Sequence, residues 1–233
     1  MKVLNSKILM VADLHYSTRG FRGGDESRVF EALCKAVEAE KPDLVLSAGD
    51  SGEEATEDMF RPISKQSYFL TIYGNHDNVD LIKSLRNKDD SSCWLSDNIR
   101  EWQGLRIAAV NGNIAIRKRK AHHHIIEEVE RLVEGYARSG RIDIVVTHEA
   151  PQHPPLKSLG SDVLNRALEI LRPRIHLCGH MHIPSQTIDV SGTILVNLDS
   201  SMKNSNYATV EFDKEIFGHV QIKKLFQLSH DFT

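Results

Sequence analysis

The 233-residue chain has few cysteines, and their pattern argues against a disulfide framework. Cys34, Cys93 and Cys178 are an odd number and show no C-x-x-C spacing. Disulfides are typical of oxidising compartments. The sequence therefore predicts a cytoplasmic protein without disulfide bonds.

Long apolar runs are also missing. The run nearest the start, "ILMVA" (8–12), is far shorter than a signal-peptide core or a membrane span, and Asp13 interrupts it. No other segment is apolar enough to cross a bilayer, so we expect no membrane association.

The charge is not dominated by one sign. The 29 basic and 32 acidic side chains leave a formal net charge of −3, which does not indicate a general binder of nucleic acid or membrane surfaces. A local basic patch stays open. With 40% hydrophobic and 26% charged residues, the composition is that of a globular protein. We find no linker or internal repeat and predict one domain, 1–233, of unknown oligomeric state.

Histidine, in contrast, is abundant, with 12 residues. The run "HHH" (122–124) is internal and flanked by helix formers, so it is not a purification tag. The excess requires another explanation.

A repeated unit provides one: a short apolar run ends abruptly in a polar residue. The runs are rich in β-branched or aromatic residues and do not alternate, as expected of strands that are buried on both faces. They are "KILMVAD" (7–13), "PDLVLSAGD" (42–50), "SYFLTIYGN" (67–75), "IDIVVTH" (142–148) and "RIHLCGH" (174–180).

Segments with helical periodicity lie between these runs, at 25–41, 78–87, 119–140 and 161–173. The alternation predicts an α/β fold with mostly parallel strands. Further strands are expected at 106–117, in a hairpin over 185–198 that turns at Ser191-Gly192, and in a pair over 206–213 and 217–228. These later strands are expected to form or extend a second sheet.

Ligands of α/β sheets bind beyond the carboxyl ends of the strands. If the five strands are parallel, their terminal residues gather there, together with two histidines one residue further on. The set comprises Asp13, His15, Asp50, Asn75, His148, His180 and His182. Oxygen and imidazole ligands suit Mn, Fe or Zn, and seven ligands suit two ions that share one carboxylate.

A plainer interpretation exists for each residue alone. A single aspartate or histidine at a strand end is usually a helix cap or a loop residue, and we favour that for His15 or His148 in isolation. Five strand ends of one chemical type are harder to explain in this way.

In their order along the chain, these residues resemble the calcineurin-like metallophosphoesterase superfamily. Each motif is weak alone, but the ordered set is specific and spans residues 13–182. The matching segments are "DLH" (13–15), "GD" (49–50), "GNHD" (74–77), "TH" (147–148) and "GHMH" (179–182).

The resemblance implies a four-layer αββα sandwich, in which two mixed β-sheets are flanked by helices. It assigns Asp13, His15 and His182 to one metal, and Asn75, His148 and His180 to the other, with Asp50 bridging. It also implies that His76 faces the substrate and that Asp77 orients His76. Two acidic residues, Glu53 and Glu149, lie beside the motifs without an assigned role.

These roles predict a hydrolase that uses two divalent metal ions (Mn, Fe or Zn) to activate a hydroxide for attack on a phosphodiester or a phosphomonoester, with His76 assisting. The expected substrate is a phosphate ester, and nucleotides are among the candidates. Nucleic acid stays open as a partner, although the net charge does not indicate it. The alternative is a non-catalytic protein-binding scaffold with the same fold.

Substrate selection is expected in the loops. The segment "RKRKAHHH" (117–124, from Arg117 to His124) is either an anion-binding specificity element or a solvated helix face. Arg19 or Arg22, in the loop after the first motif, would hold a phosphate or belong to an ordinary surface loop.

Overall fold

The computed structural model describes residues 6–21, 24–115, 117, 123–152, 160–213 and 216–226. Two large mixed sheets lie face to face, and helices cover their outer faces. The helices of the described residues are α1 (Val29–Glu40), α2 (Glu57–Gln66), α3 (Val79–Ser84), α4 (Ile126–Arg138) and α5 (Asp162–Leu171). The predicted four-layer α/β sandwich is confirmed.

The first sheet is built around three parallel strands: β1 (Ser6–Val11), β2 (Leu44–Ser47) and β3 (Tyr68–Thr71). The second contains the parallel strands β5 (Leu105–Val110), β8 (Ile144–Thr147), β9 (Ile175–Cys178) and β11 (Thr193–Asn197), with antiparallel β4 (Ile99–Trp102) and β10 (Gln186–Val190) at its edges. A small parallel pair, β6 (Asn113–Ala115) and β7 (His123–Ile125), stands apart.

The last strands join the first sheet. β12 (Asn206–Asp213) pairs antiparallel with β1, and β13 (Ile216–Phe217) and β14 (Gln221–Lys224) pair with β12. The expectation that all later strands belong to a second sheet was therefore wrong for these three. The hairpin prediction is confirmed: β10 and β11 flank Ser191 and Gly192, which both have positive φ.

The strands are apolar throughout because both faces are covered. Ile8 and Met10 of β1 point into the core between the sheets, whereas Leu9 and Val11 pack under α1 and α2. On the second sheet, Ala108 and Val145 pack under α4 and α5. This double burial explains why the sequence runs do not alternate.

Helix predictions were confirmed with changed bounds. The segment 25–41 forms a 3-10 turn, Glu26–Arg28, and then α1; 78–87 contains the shorter α3, and 161–173 contains α5. The predicted helix 119–140 was wrong at its start, because His123–Ile125 is a strand and α4 begins at Ile126. The predicted strand 106–117 breaks at Asn111 and Gly112, between β5 and β6.

Candidate metal centre

All seven ligands expected from the sequence lie beyond the carboxyl ends of parallel strands. Four follow β1, β2 and β3 of the first sheet: Asp13, His15, Asp50 and Asn75. Three follow β8 and β9 of the second: His148, His180 and His182. The site thus forms where the ends of two sheets meet, and not along the edge of one.

The backbone at this site is strained. Left-handed backbone torsions are uncommon for residues with a β-carbon and cost about 1–3 kcal/mol each. Five of the seven residues have them: Asp13 (φ 58°), His15 (51°), Asp50 (54°), His180 (68°) and His182 (49°). Such clustering is typical of functional sites, because the surrounding fold must hold each side chain in place.

Asp13, His15 and His182 form the first cluster. One potential ligand atom from each lies within 4.8 Å of the others. Asp13 Oδ1 and His15 Nε2 are buried and have no hydrogen-bond partner. Buried polar atoms without partners are costly, so this cluster fits a cation.

The second cluster contains Asp50, His148 and His180, with ligand atoms again within 4.8 Å of one another. His180 Nδ1 lies 3.2 Å from His148 Nε2. The amide Oδ1 of Asn75 is also 3.2 Å from His148 Nε2 and adds an oxygen ligand. Donor atoms of four residues thus converge on one region.

Asp50 lies between the clusters. Its Oδ2 is 3.5 Å from His15 Nε2 of the first cluster and 3.3 Å from His148 Nε2 of the second. The same oxygen has no accepted hydrogen bond. Asp50 therefore lies within reach of both clusters, and the nitrogen and oxygen donors fit divalent cations.

Burial and the Asp50 carboxylate together set the protonation of three imidazoles at the site. It lowers the pKa of His15 to about 3 and the pKa of His180 to about 4, which leaves both rings neutral, as metal ligands must be. Burial also disfavours charge on His148, but the adjacent Asp50 carboxylate outweighs this effect and raises its pKa to about 10. Burial raises the pKa of Asp13 well above its usual value.

Glycine is required where the loops approach most closely. A β-carbon on Gly74 would collide with the carboxylate of Asp50 and would lie 2.6 Å from His148 Cε1. One on Gly179 would lie 2.8 Å from Asp13 Oδ2. Both glycines directly precede predicted ligands, Asn75 and His180.

His76 lies beside the clusters on the surface of the site. Its ring centroid is 5.2 Å from that of His15, and its side chain is 47% exposed. Its backbone N–H donates to Asp50 Oδ1 at 2.8 Å. His76 also lines a cavity of about 190 Å³ together with His15, Phe21 and Glu53.

Asp77 makes contacts other than those expected from the sequence. Its carboxylate accepts hydrogen bonds, each of 2.7 Å, from the backbone N–H groups of Asp50, Ser51 and Gly74. The carboxylate that faces the His76 ring is that of Glu53, whose Oε1 is 4.0 Å from Nδ1. Asp77 thus orders the loop of Asp50, and Glu53 is next to His76.

The segment 117–124 is only partly described. Arg117 is exposed, and 118–122 lie outside the described residues, as does Arg22. His124 lies 3.1 Å from Asp97 and 3.5 Å from Glu128, which gives it a place inside the fold. Arg19 is exposed in its loop.

Sequence reasoning missed two residues next to the site. Phe21 stacks on the ring of His15, with centroids 3.8 Å apart. Asp199 is fully buried and has Oδ2 3.4 Å from His182 Nδ1. Asp199 follows β11 as the ligands follow their strands, and that signal was available in the sequence.

The fold and these clusters define a four-layer sandwich protein with a candidate site for two metal ions. The profile of the calcineurin-like phosphoesterase family matches residues 6–184. Because this match covers most of the chain, the chain belongs to that family. No curated protein sequence matches the chain.

Solved structures show the same fold at low identity. The protein TT1561 of Thermus thermophilus is 14% identical, with a TM-score of 0.70 over 95% of this chain and 100% of that chain. A dimetal phosphatase from Danio rerio is 12% identical, with a TM-score of 0.61 over 95% and 97%. A novel archaeal phosphodiesterase is 13% identical, with a TM-score of 0.50 over 93% and 99%.

Proposed function

We propose that this protein is a hydrolase of phosphate esters that uses two divalent metal ions. Two largely buried clusters support this proposal most directly, because the ligand atoms of each lie within 4.8 Å of one another. Asp50 of the second cluster also lies 3.5 Å from His15 of the first. Asp13, His15 and His182 would hold one ion, and Asn75, His148 and His180 the other, with Asp50 between them. Mn, Fe and Zn suit these ligands.

Two bound ions would supply a nucleophilic hydroxide near neutral pH and withdraw charge from the phosphoryl oxygens. The chain's own residues fix the geometry. The carboxylate of Asp77 accepts from three backbone N–H groups and so fixes the loops of Asp50 and Gly74 relative to each other. The neutral rings of His15 and His180 leave their nitrogen lone pairs free to bind.

His76 is the residue for proton transfer. It follows a ligand by one position, so its exposed ring reaches the substrate without entering either cluster. We assign to His76 the donation of a proton to the leaving-group oxygen, or of a hydrogen bond to a non-bridging oxygen. Glu53, whose Oε1 lies 4.0 Å from Nδ1, would have to move closer to accept a hydrogen bond from the ring, and it would then orient the opposite nitrogen toward the substrate. The cavity that His76 lines would then receive the leaving group.

The alternative is a protein-binding scaffold that kept the fold without the chemistry. A scaffold needs neither the complete ligand set nor His76, and this chain has both. Metal analysis, combined with an assay on bis(p-nitrophenyl) phosphate, separates the two functions. Two ions per chain and metal-dependent hydrolysis support the enzyme; bound metal without hydrolysis of any ester supports the scaffold.

A panel of substrates then narrows the class. Monoesters, cyclic nucleotides, dinucleotides and single-stranded DNA, each assayed with added Mn²⁺, separate monoesterase from diesterase activity. The net charge of −3 leads us to expect small phosphate esters to be cleaved faster than single-stranded DNA.

A further inference from the structure

Asp199 is a buried carboxylate that the proposed reaction does not use. It lies two residues beyond β11 and is 0% exposed. Burying a carboxylate is costly unless it is paired and hydrogen-bonded. Its surroundings should therefore show what this charge does.

The carboxylate is held in one orientation. Ser201 N–H donates to Oδ1 at 3.0 Å, and the side-chain amide of Asn204 donates to Oδ2 at 2.7 Å. The backbone N–H of Asp199 donates to Ser185 Oγ at 2.9 Å, which ties this turn to the loop three residues beyond His182. These bonds point Oδ2 at His182.

Within the described part of the chain, His182 is the basic side chain that lies against Asp199. Among the described residues, no lysine or arginine forms an ion pair with Asp199, and Oδ2 lies 3.4 Å from His182 Nδ1. That nitrogen is buried and has no hydrogen bond of standard geometry within the described ranges. The ring is also constrained on its side facing the cluster, where the His15 ring lies 4.8 Å away.

We propose that Asp199 positions His182 for metal binding. By accepting the proton of Nδ1, the carboxylate fixes the tautomer in which Nε2 carries the free lone pair. It also makes Nε2 a stronger donor, because a carboxylate partner raises the basicity of a ligating imidazole. The inference rests on the proposed metal role of His182 and adds a residue that no ligand motif contains.

A purely structural role is the competing explanation. Asp199 also organises its own turn, since its carbonyl accepts from Asn206 N–H at 3.1 Å. Loss of that turn would weaken the whole fold, whereas loss of the contact with His182 would weaken one ion selectively. The two explanations therefore predict different affinities for the two ions when Asp199 is replaced.

The test compares Asp199→Asn with wild type in the full chain. We expect the amide to weaken the binding of one of the two Zn²⁺ ions roughly 10–100-fold and to leave the affinity for the other unchanged. Competition with a chromogenic chelator measures both affinities. The matched control is Glu26→Gln, another buried carboxylate, which accepts from Met202 N–H of the same turn at 2.8 Å. It should bind both ions with wild-type affinity. Wild-type affinities for both ions in Asp199→Asn would overturn the proposal, as would equal losses in both variants.

A measurement on wild type is decisive even if the variant does not fold. In the Zn²⁺-loaded protein, ¹⁵N NMR should show His182 protonated at Nδ1 and metal-bound at Nε2. The opposite tautomer would overturn the role of Asp199 while leaving the two-metal proposal intact. Failure of wild type to bind Zn²⁺ at all would instead count against the proposed function.

Discussion

Single residues at the candidate metal centre are constrained by backbone geometry as much as by chemistry. Asp50 must adopt a left-handed torsion, and Gly74 must lack a β-carbon so that the Asp50 carboxylate can lie against it. The sequence motifs predicted which residues meet, because ligand chemistry is visible in residue types. The contacts of Asp77 and Asp199 were not predictable, since they depend on where backbone N–H groups and a neighbouring ring lie.

His76→Ala should keep both ions and lose turnover. A positioned acid or base contributes on the order of 10²–10⁴-fold, and His76 lies outside both clusters. Metal content and hydrolysis of bis(p-nitrophenyl) phosphate measure the two properties separately. His219→Ala is the control, because His219 is exposed at a distant cavity. Wild-type turnover in His76→Ala would show that the assigned role is wrong.

Gly74→Ala should disable the centre without unfolding the protein. The added methyl group would displace the Asp50 carboxylate and the His148 ring, and a misplacement of about 1 Å can cost on the order of 100-fold in rate. Metal content and rate are both expected to fall. The control is Gly135→Ala in α4, where a β-carbon meets no atom within 4 Å. There the substitution should stabilise the helix by about 0.5–1 kcal/mol. A fully active Gly74→Ala would contradict the packing described for this loop.

Among the helices and strands, the sequence predicted best those whose residue pattern follows from burial alone. Strands β1, β2, β3, β8 and β9 are buried on both faces and follow directly from their apolar runs. Helix α2 was not predicted, and Pro62 within it is a residue that normally interrupts helices. The start of α4 was misplaced because β7 pairs with β6, a tertiary contact that helical periodicity does not reveal.

The 3-10 turn before α1 should make folding stability depend on pH. Burial raises the pKa of Glu26 to about 7, whereas an unfolded chain has the ordinary value near 4.5. The folded state therefore retains a proton between these values, so this contribution to stability is complete below pH 4.5 and is lost as the pH rises through 7. We expect the free energy of unfolding to fall between pH 5 and pH 8 in wild type. The fall should exceed that of the Glu26→Gln variant by on the order of 2 kcal/mol. Parallel pH profiles from urea denaturation would contradict this assignment.

On the scale of the whole molecule, one apolar core joins the two sheets, and the ligands meet because the sheets face each other. Leu46 and Ile72 of the first sheet share a cluster with Ile107 and Val146 of the second. The sequence runs have similar compositions and do not show which strands share a sheet. The strand pattern predicted a second sheet but assigned β12, β13 and β14 to it, whereas they join the first. Only the family resemblance predicted two sheets packed face to face, because topology is a property of long-range packing.

The shared core predicts that the chain unfolds as one unit, in agreement with the single domain expected from the sequence. Leu46 is fully buried between the sheets, so Leu46→Ala should cost about 2–5 kcal/mol and shift the whole unfolding curve. Ile216, which is 74% exposed, is the control, and Ile216→Ala should change little. Circular dichroism and calorimetry should report one transition. Two separate transitions, of which Leu46→Ala moves only one, would contradict a single domain.

The central claim is that two ions, bound around a shared Asp50, support hydrolysis of a phosphate ester. Its most direct test is a titration of Mn²⁺ into metal-free protein, with binding followed by calorimetry and hydrolysis of bis(p-nitrophenyl) phosphate measured at each step. We expect two ions per chain and activity that rises with occupancy of the second. Saturation at one ion, or hydrolysis that does not depend on added metal, would contradict it.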